Sequence, residues 1–472
     1  MSGQVFKLFG HRRSLDKNAD SDDKGYLQEL VPKTEVLEKP HIGGDFMRTL
    51  KAAIIGAGST YTPEIIEGFI ERKDRLNFQT FYLMDINREK LAVTGGLAKR
   101  MFAAKGINSR IELTDNLDEA IAGSDYVFAQ IRVGGLAARI LDEKIPLKHG
   151  LLGQETTGAG GFMNALRTLP VMLDMARRIE KLAPEAWLIN FSNPSGIVAQ
   201  ALLNHTNVKM IGLCNNFINM KANIAKHINT ADFDYEYIGL NHLSWITSVT
   251  ANNENMLERL VKSAGVSMKN IPYLDYDEDL VRAIPAIPCS YLSYFYLRGR
   301  QIQKCLDAKK TRGEECVEIE NSLLKKLNDP ELKEKPAELD KRGGALYSTA
   351  AVSVTDAIEN DKNEYHVVNV KNKGAVPFME DDDVVEVKCN VNKNGAQPVP
   401  VKNPAMPYIK GMMQAVKAYE ALTVRAVINN SKADALAALM VHPLIGDYDK
   451  AKALLDDMLE ANKKYLPKEW FR

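Results

Sequence analysis

No stretch of this sequence stays apolar over the roughly 20 residues that a helix needs to cross a bilayer, which excludes a helical membrane span. Neither sign of charge predominates. The 61 Lys and Arg balance 61 Asp and Glu, so no global field draws nucleic acid or an anionic membrane surface, and any phosphate site has to be local. Cysteine is scarce: Cys214, Cys289, Cys305, Cys316 and Cys389 are odd in number, scattered, and without a CxxC pair. With no apolar secretory leader ahead of them, they exclude a disulfide framework and fit a reducing cytoplasm. Such thiols can serve as metal ligands or nucleophiles, although a buried inert thiol is the commoner case. Internal repeats are lacking, and the one biased tract is the charged segment 325–341, read as a solvated helix or loop.

What remains is the composition of a globular chain, 45% hydrophobic and 26% charged, whose 472 residues suit two tightly joined domains. Residues 1–46 are rich in Lys, Asp and Gly without a sustained period and read as a disordered extension or tag, with Met47 as the natural initiator. From Leu50 the texture changes. An apolar run over 50–56 ends in glycines and is followed by helical spacing over 64–70. A second run at 80–85 and a helix from 89 to about 105 complete a βαβ unit. Strands are expected at 111–113, 126–131, 186–190 and 209–214, alternating with helices at 117–122, 162–182 and 196–203, so residues 47–220 read as a doubly wound sheet. Beyond about residue 220 the pattern turns to long helices, among them 314–327, 406–429 and 434–440, broken by a β-rich stretch at 365–392. Residues 221–472 therefore form the second domain.

The turn Gly56-Ala-Gly58-Ser59-Thr60 suits a pyrophosphate, because glycines allow close backbone approach and the following helix start offers free N–H groups to an anion. Tyr61 replaces the third glycine of a G-x-G-x-x-G fingerprint, so the turn alone also reads as an ordinary strand-to-helix connection. Asp85, at the end of the second strand, adds a carboxylate that accepts from ribose hydroxyls and disfavours a 2′-phosphate, which favours NAD over NADP. Its plain alternative is a helix N-cap. Cys214 ends a strand, where ligands of α/β sheets gather, and His242 follows in an apolar setting. By themselves a Cys and a His so spaced are a weak metal signal, and core roles stay open. Segments 153–161 and 190–196 are small, polar and glycine-bearing, suited to a hydroxylated ligand and equally to turns. The tyrosines 291, 294 and 296 are more often packing than catalysis, unless a nearby cation lowers one phenol's pKa.

Taken in order, G-A-G-S-T, I-R-V-G-G-L, D-E-K-I-P-L-K-H-G, G-Q-E-T-T-G, N-F-S-N-P-S-G, G-L-C-N, G-L-N-H-L-S-W and K-R-G-G resemble glycoside hydrolase family 4, from about Leu50 to the C-terminus. The resemblance implies an α/β protein: a Rossmann-like doubly wound sheet domain and a mixed, mainly helical second domain that carries catalysis and oligomerisation. It also implies hydrolysis by oxidation and elimination in place of the usual carboxylate pair. NAD, held at Gly56, Gly58, Ser59, Thr60 and Asp85, would take hydride from the sugar C3, and the ketone acidifies C2. Cys214 and His242 would hold a divalent metal, usually Mn²⁺, against the sugar O2 and O3, although by softness this pair suits Zn, Co or Fe better. Tyr291 matches the base that takes the C2 proton. Asn193 and Glu155 match residues at the sugar hydroxyls and metal region. Arg139 and Arg312 match arginines near the sugar in phosphate-specific members, where a guanidinium fork suits phosphate.

In members that cleave α-linkages the residue after the metal-binding Cys is typically an Asp acting as acid, whereas Asn215 stands here, and an amide cannot donate a catalytic proton. The resemblance therefore implies a 6-phosphorylated β-glucoside, such as cellobiose 6-phosphate, as substrate. One departure is the family's C-N-V-P, which is C-N-N-F here through Asn216 and Phe217. Three alternatives fit the same residues: an α-glucosidase or α-galactosidase of the same family, a conventional NAD-dependent dehydrogenase, and a non-catalytic NAD-binding protein. The family likeness further implies a homodimer or homotetramer, with no nucleic-acid or membrane partner.

Overall fold

A computed structural model describes residues 47–262, 276–284, 286–342, 347–402 and 406–471. The expectations for residues 1–46, and for Gly343 and Gly344 of the K-R-G-G motif, fall outside them. Thirteen strands are present among the described residues: β1 (Leu50–Ile55), β2 (Phe78–Met84), β3 (Arg110–Thr114), β4 (Tyr126–Ala129), β5 (Trp187–Asn190), β6 (Lys209–Gly212), β7 (Asp234–Leu240), β8 (Leu243–Ala251), β9 (Glu254–Asn255), β10 (Ile287–Pro288), β11 (Glu364–Lys371), β12 (Val384–Asn392) and β13 (Gly395–Pro398). Nine of them form one sheet in the order β13-β12-β11-β6-β5-β4-β1-β2-β3. The six from β6 to β3 are parallel and follow the doubly wound order, with the switch point between β1 and β4.

The parallel strands read as apolar runs because helices cover both faces of such a sheet. Ala52 to Ile55 and Tyr126 to Ala129 are almost wholly buried. Under them Phe69 makes edge-to-face contacts with Phe78, Phe81 and Phe128 at ring-centroid distances of 5.0–5.3 Å. The β-rich stretch expected in the second domain forms β11 and β12, which with β13 extend this same sheet with antiparallel strands. Asn369 of β11 pairs with Gly212 of β6, where a side chain in place of the glycine would crowd the Asn369 Cβ at 3.0 Å. A separate antiparallel sheet, β10-β8-β7, is built on a hairpin whose two-residue turn is Asn241-His242.

Two long helices, Gly135–Lys148 and Gly158–Leu182, carry the loops that follow β4. They are clamped by a fully buried ion pair: the Arg167 guanidinium donates to both Asp142 carboxylate oxygens, at 2.8 and 2.6 Å, and to Asn462 Oδ1 at 2.7 Å. No helix among the described residues is long and apolar enough to cross a membrane.

Candidate active site

At the switch point β1 ends and the chain turns through Gly56 to Thr60 into the helix Thr62–Glu71. Gly56 has φ +89°, and a Cβ there would lie 2.7 Å from the Gln130 carbonyl oxygen, while one at Gly58 would lie 2.8 Å from Asp85 Oδ2. Glycine is needed at both places for close approach. The N–H groups of Gly58 and Asn87 donate to the two Asp85 oxygens, each at 2.8 Å. Asn87, not Asp85, caps the helix Arg88–Ala104, so the Asp85 carboxylate stays on the wall of a cavity of about 1160 Å³, beside Gly56, Gly58 and Ser59. Thr60 is fully buried, and Tyr61, in the place of the absent third glycine, lies on the wall instead.

Tyr291, Asn193, Asn215, Arg139, Glu155 and Arg312 line this same cavity. Tyr291 comes from the single 3₁₀ turn Ser290–Leu292 just after β10. Its ring stacks on the imidazole of His242 with centroids 3.7 Å apart and planes within 7°. His242 sits at the tip of the β7–β8 hairpin with φ +64°, a conformation unusual for a residue with a Cβ. Its Nδ1 is 2.9 Å from Thr156 Oγ1. Burial pulls the imidazole pKa down to about 4 against the opposing Glu155 carboxylate, so the ring is neutral at neutral pH.

Cys214, just after β6, is buried and receives the Asn216 N–H at 3.5 Å. Burial and the nearby Glu386 carboxylate push its thiol well above the ordinary range, opposed by the Asn216 N–H and the Asn241 carboxamide. Asn241 is the neighbour of His242 in the hairpin turn, so the thiol and the hairpin tip meet although Cys214 and Asn241 are 27 positions apart. Glu386 of β12 holds the hairpin in place, accepting from the Tyr237 hydroxyl at 2.7 Å, Asn241 Nδ2 at 2.9 Å and Asn369 Nδ2 at 3.1 Å.

Arg139 and Glu155 form part of one ion cluster. Arg139 reaches Glu143 at 2.8 Å and Glu155 at 3.1 Å, and Arg132 pairs with Glu155 as well. Burial acts to raise the Glu155 pKa, but Arg132 and Arg139 overcome it and hold the carboxyl down at about 2. Burial likewise acts against the Arg139 charge, yet Glu155 and Glu143 hold that guanidinium above its ordinary range. Glu143 also accepts from the Gly313 N–H at 2.7 Å, which docks the start of the helix Arg312–Leu327, and with it Arg312, at the cavity.

The residues fit the two groups that the sequence implies. The Asp85 carboxylate keeps acceptor capacity for ribose hydroxyls beside a glycine turn open to a phosphate. His242 is neutral, as a metal ligand must be, whereas Cys214, in contact with the same hairpin tip and with its thiol pushed up by burial and Glu386, would have to give up its proton to a bound cation. Among the described residues no group of three or more His, Cys, Asp and Glu could hold a metal ion, so a cation here would draw its other ligands from elsewhere. Of the departing pair, Phe217 is core, packed on Tyr235 and Tyr237 at 4.5 and 5.1 Å, whereas Asn216 lies at the cavity, buried, with neither carboxamide atom hydrogen-bonded.

Several residues here were not singled out from the sequence: Arg132, Glu143, Thr156, Asn241 and Glu386. Arg132, Glu143, Thr156 and Asn241 lie inside the quoted motifs I-R-V-G-G-L, D-E-K-I-P-L-K-H-G, G-Q-E-T-T-G and G-L-N-H-L-S-W, so the signal was on hand. The glycines of 153–161 serve packing. A Cβ at Gly153 would lie 1.8 Å from the Glu143 carbonyl oxygen, and one at Gly161 2.3 Å from that of Thr156.

Comparison with known proteins agrees with this architecture over nearly the whole described chain. The model of the family 4 glycosyl hydrolases matches residues 51–230, and that of their C-terminal domain residues 237–445. A probable 6-phospho-beta-glucosidase of Bacillus subtilis is 40% identical over 431 residues, 89% of this chain and 97% of that one. The 6-phospho-beta-glucosidase of Escherichia coli is 37% identical over 433 residues, 89% of this chain and 96% of that one. A solved 6-phospho-beta glucosidase of Thermotoga maritima, with manganese, NAD⁺ and glucose-6-phosphate, superposes with a TM-score of 0.83 at 34% identity, covering 88% of this chain and 99% of that chain. With the two family models together matching residues 51–230 and 237–445 and these relatives spanned almost entirely, the chain belongs to family 4 of the glycoside hydrolases.

Proposed function

We propose that this chain hydrolyses 6-phosphorylated β-glucosides in the cytoplasm, with NAD and a divalent metal, through C3 oxidation, C2 deprotonation, loss of the aglycone and addition of water. The observation that carries the reading is that Gly58, Asp85 and Tyr291, the last stacked on His242, line one and the same cavity. Asp85 accepts from the ribose hydroxyls, and the turn from Gly56 to Thr60 receives the pyrophosphate. When bound, NAD supplies a hydride acceptor for C3, and a cation held by Cys214 and His242 supplies a Lewis acid at the sugar O2 and O3.

Tyr291 takes the C2 proton, and its stacking on His242 fixes the plane from which the phenol approaches. Glu155, kept ionised by Arg132 and Arg139, accepts from sugar hydroxyls together with Asn193. Arg312, with Lys304 and Lys310 also on the cavity wall, provides the counter-charge for the phosphate. Arg139 contributes by holding Glu155, since both of its partners are carboxylates. Asn215 offers no acid for an α-linked leaving group. Residues 47–220 thus supply the cofactor side of the site and residues 221–472 the base and His242.

The experiment is release of p-nitrophenol from the α and β anomers of p-nitrophenyl 6-phosphoglucoside, with and without NAD⁺, Mn²⁺ and a thiol reductant. The β anomer alone is expected to turn over, and omission of either cofactor is expected to stop it. Turnover of the α anomer would overturn the role given to Asn215. Cleavage independent of both cofactors would overturn the mechanism.

A further inference from the structure

Neutral imidazole carries one proton on one of two nitrogens, and only the bare nitrogen can bind a cation. Which nitrogen is bare at His242 follows from its surroundings. Gln154 Oε1 receives the backbone N–H groups of Thr156 and Thr157 at 2.7 and 2.5 Å. Two such donors settle which end of the Gln154 amide is oxygen. The Thr156 hydroxyl lies 3.0 Å from that oxygen and 2.9 Å from His242 Nδ1. A hydroxyl has one proton to give, and an amide oxygen can only accept. The proton therefore goes to Gln154, and the hydroxyl oxygen faces Nδ1 as an acceptor.

We propose that Gln154 and Thr156 fix His242 as the Nδ1–H tautomer, leaving Nε2 bare for a divalent cation. Thr156 is thus a positioning residue that acts through the imidazole. The inference rests on the reading of His242 as a metal ligand only for its consequence; the tautomer itself is a property of the metal-free protein. Two other groups act on the ring without selecting a nitrogen. Tyr291 covers one face, and Glu155 acts on the ring from the adjoining residue of the same loop. The loop is locked from behind, since a Cβ at Gly160 would lie 2.1 Å from the Gln154 carbonyl oxygen, so glycine lets the helix Gly158–Leu182 press against it.

The test uses the full-length enzyme, stripped of metal with a chelator, with ¹⁵N-labelled histidine. Long-range ¹H–¹⁵N correlation spectra separate the two tautomers, and a His242→Ala spectrum identifies the signal among the eight histidines. Nδ1–H is expected in the wild type, a shift toward Nε2–H in Thr156→Val, and return to Nδ1–H in Thr156→Ser. Mn²⁺ affinity, read from the electron paramagnetic resonance of free Mn²⁺, should fall about 10–100-fold in Thr156→Val, the range for loss of a partner that orients a ligand, and recover in Thr156→Ser. A wild-type Nε2–H signal, or a Thr156→Val variant with unchanged tautomer and affinity, would overturn the proposal. Wild-type Mn²⁺ affinity in His242→Ala would instead overturn the reading of His242 as a ligand.

Discussion

The Tyr291 ring rests on the His242 imidazole, and the residue also lines the cavity. Replacing its hydroxyl alone leaves the stack intact, so Tyr291→Phe is expected to bind NAD⁺ and Mn²⁺ as the wild type does while kcat falls about 10²–10⁴-fold, the usual contribution of a general base. Loss of solvent-deuterium incorporation at the sugar C2 would localise the defect, whereas undiminished incorporation would assign the base to another group. At this scale the sequence was informative wherever a residue's chemistry depends on its own neighbours along the chain. Gly56, Gly58 and Asp85 were legible because a tight turn and a strand end impose local rules. Arg132 and Glu143, although inside quoted motifs, were not picked out, since Arg132 meets Glu155 and Glu143 meets the Gly313 N–H only in the fold. Glu386 is the extreme case, a buried carboxyl in mid-strand that reads as an ordinary strand residue until Tyr237, Asn241 and Asn369 converge on it.

Among the elements, the parallel strands were found to within a few residues because most are short apolar runs, several of them ending at a glycine or a small polar residue. The hairpin β7–β8 was missed. Its turn is Asn-His, with a positive φ at His242, and the familiar signal of such turns is a glycine. The helix Gly135–Lys148 was missed for a related reason, since it begins at two glycines of positive φ without a capping side chain and has a proline in its last turn. That helix nevertheless bears much of the site through Arg139 and Glu143, and the buried Arg167–Asp142 pair ties it to Gly158–Leu182. Removing one partner strands a buried charge, so Arg167→Leu is expected to lower the unfolding free energy by about 3–5 kcal/mol. Urea denaturation would measure this, and a loss within experimental error would mean that the pair is dispensable to the clamp.

For the molecule as a whole, acid sensitivity follows from two buried histidines. Burial holds His242 at about 4 and His442 at about 3, below the ordinary 6.5. Between pH 6.5 and those values the unfolded chain takes up protons that the folded chain refuses. The stability the two rings confer is therefore complete above pH 6.5 and drains away as the pH falls toward 4 and then 3. Calorimetry of the metal-free protein should show a lower melting temperature at pH 5 than at pH 7, and His442→Gln, which removes one of the two rings, should shrink that difference. A variant with an undiminished pH 7 to pH 5 gap would remove His442 from the account.

The seam between β6 and β11 has one more consequence, for synthesis. The sheet begun at Leu50 is closed on its β6 side only when Glu364–Lys371 arrives to pair with it. While the ribosome makes the intervening chain, β6 stands as an open edge, and open edges invite pairing with other chains. The last quarter of the protein is thus the cover for what was made first, and a ribosome stalled before β11 would leave behind a template on which a second nascent copy could build.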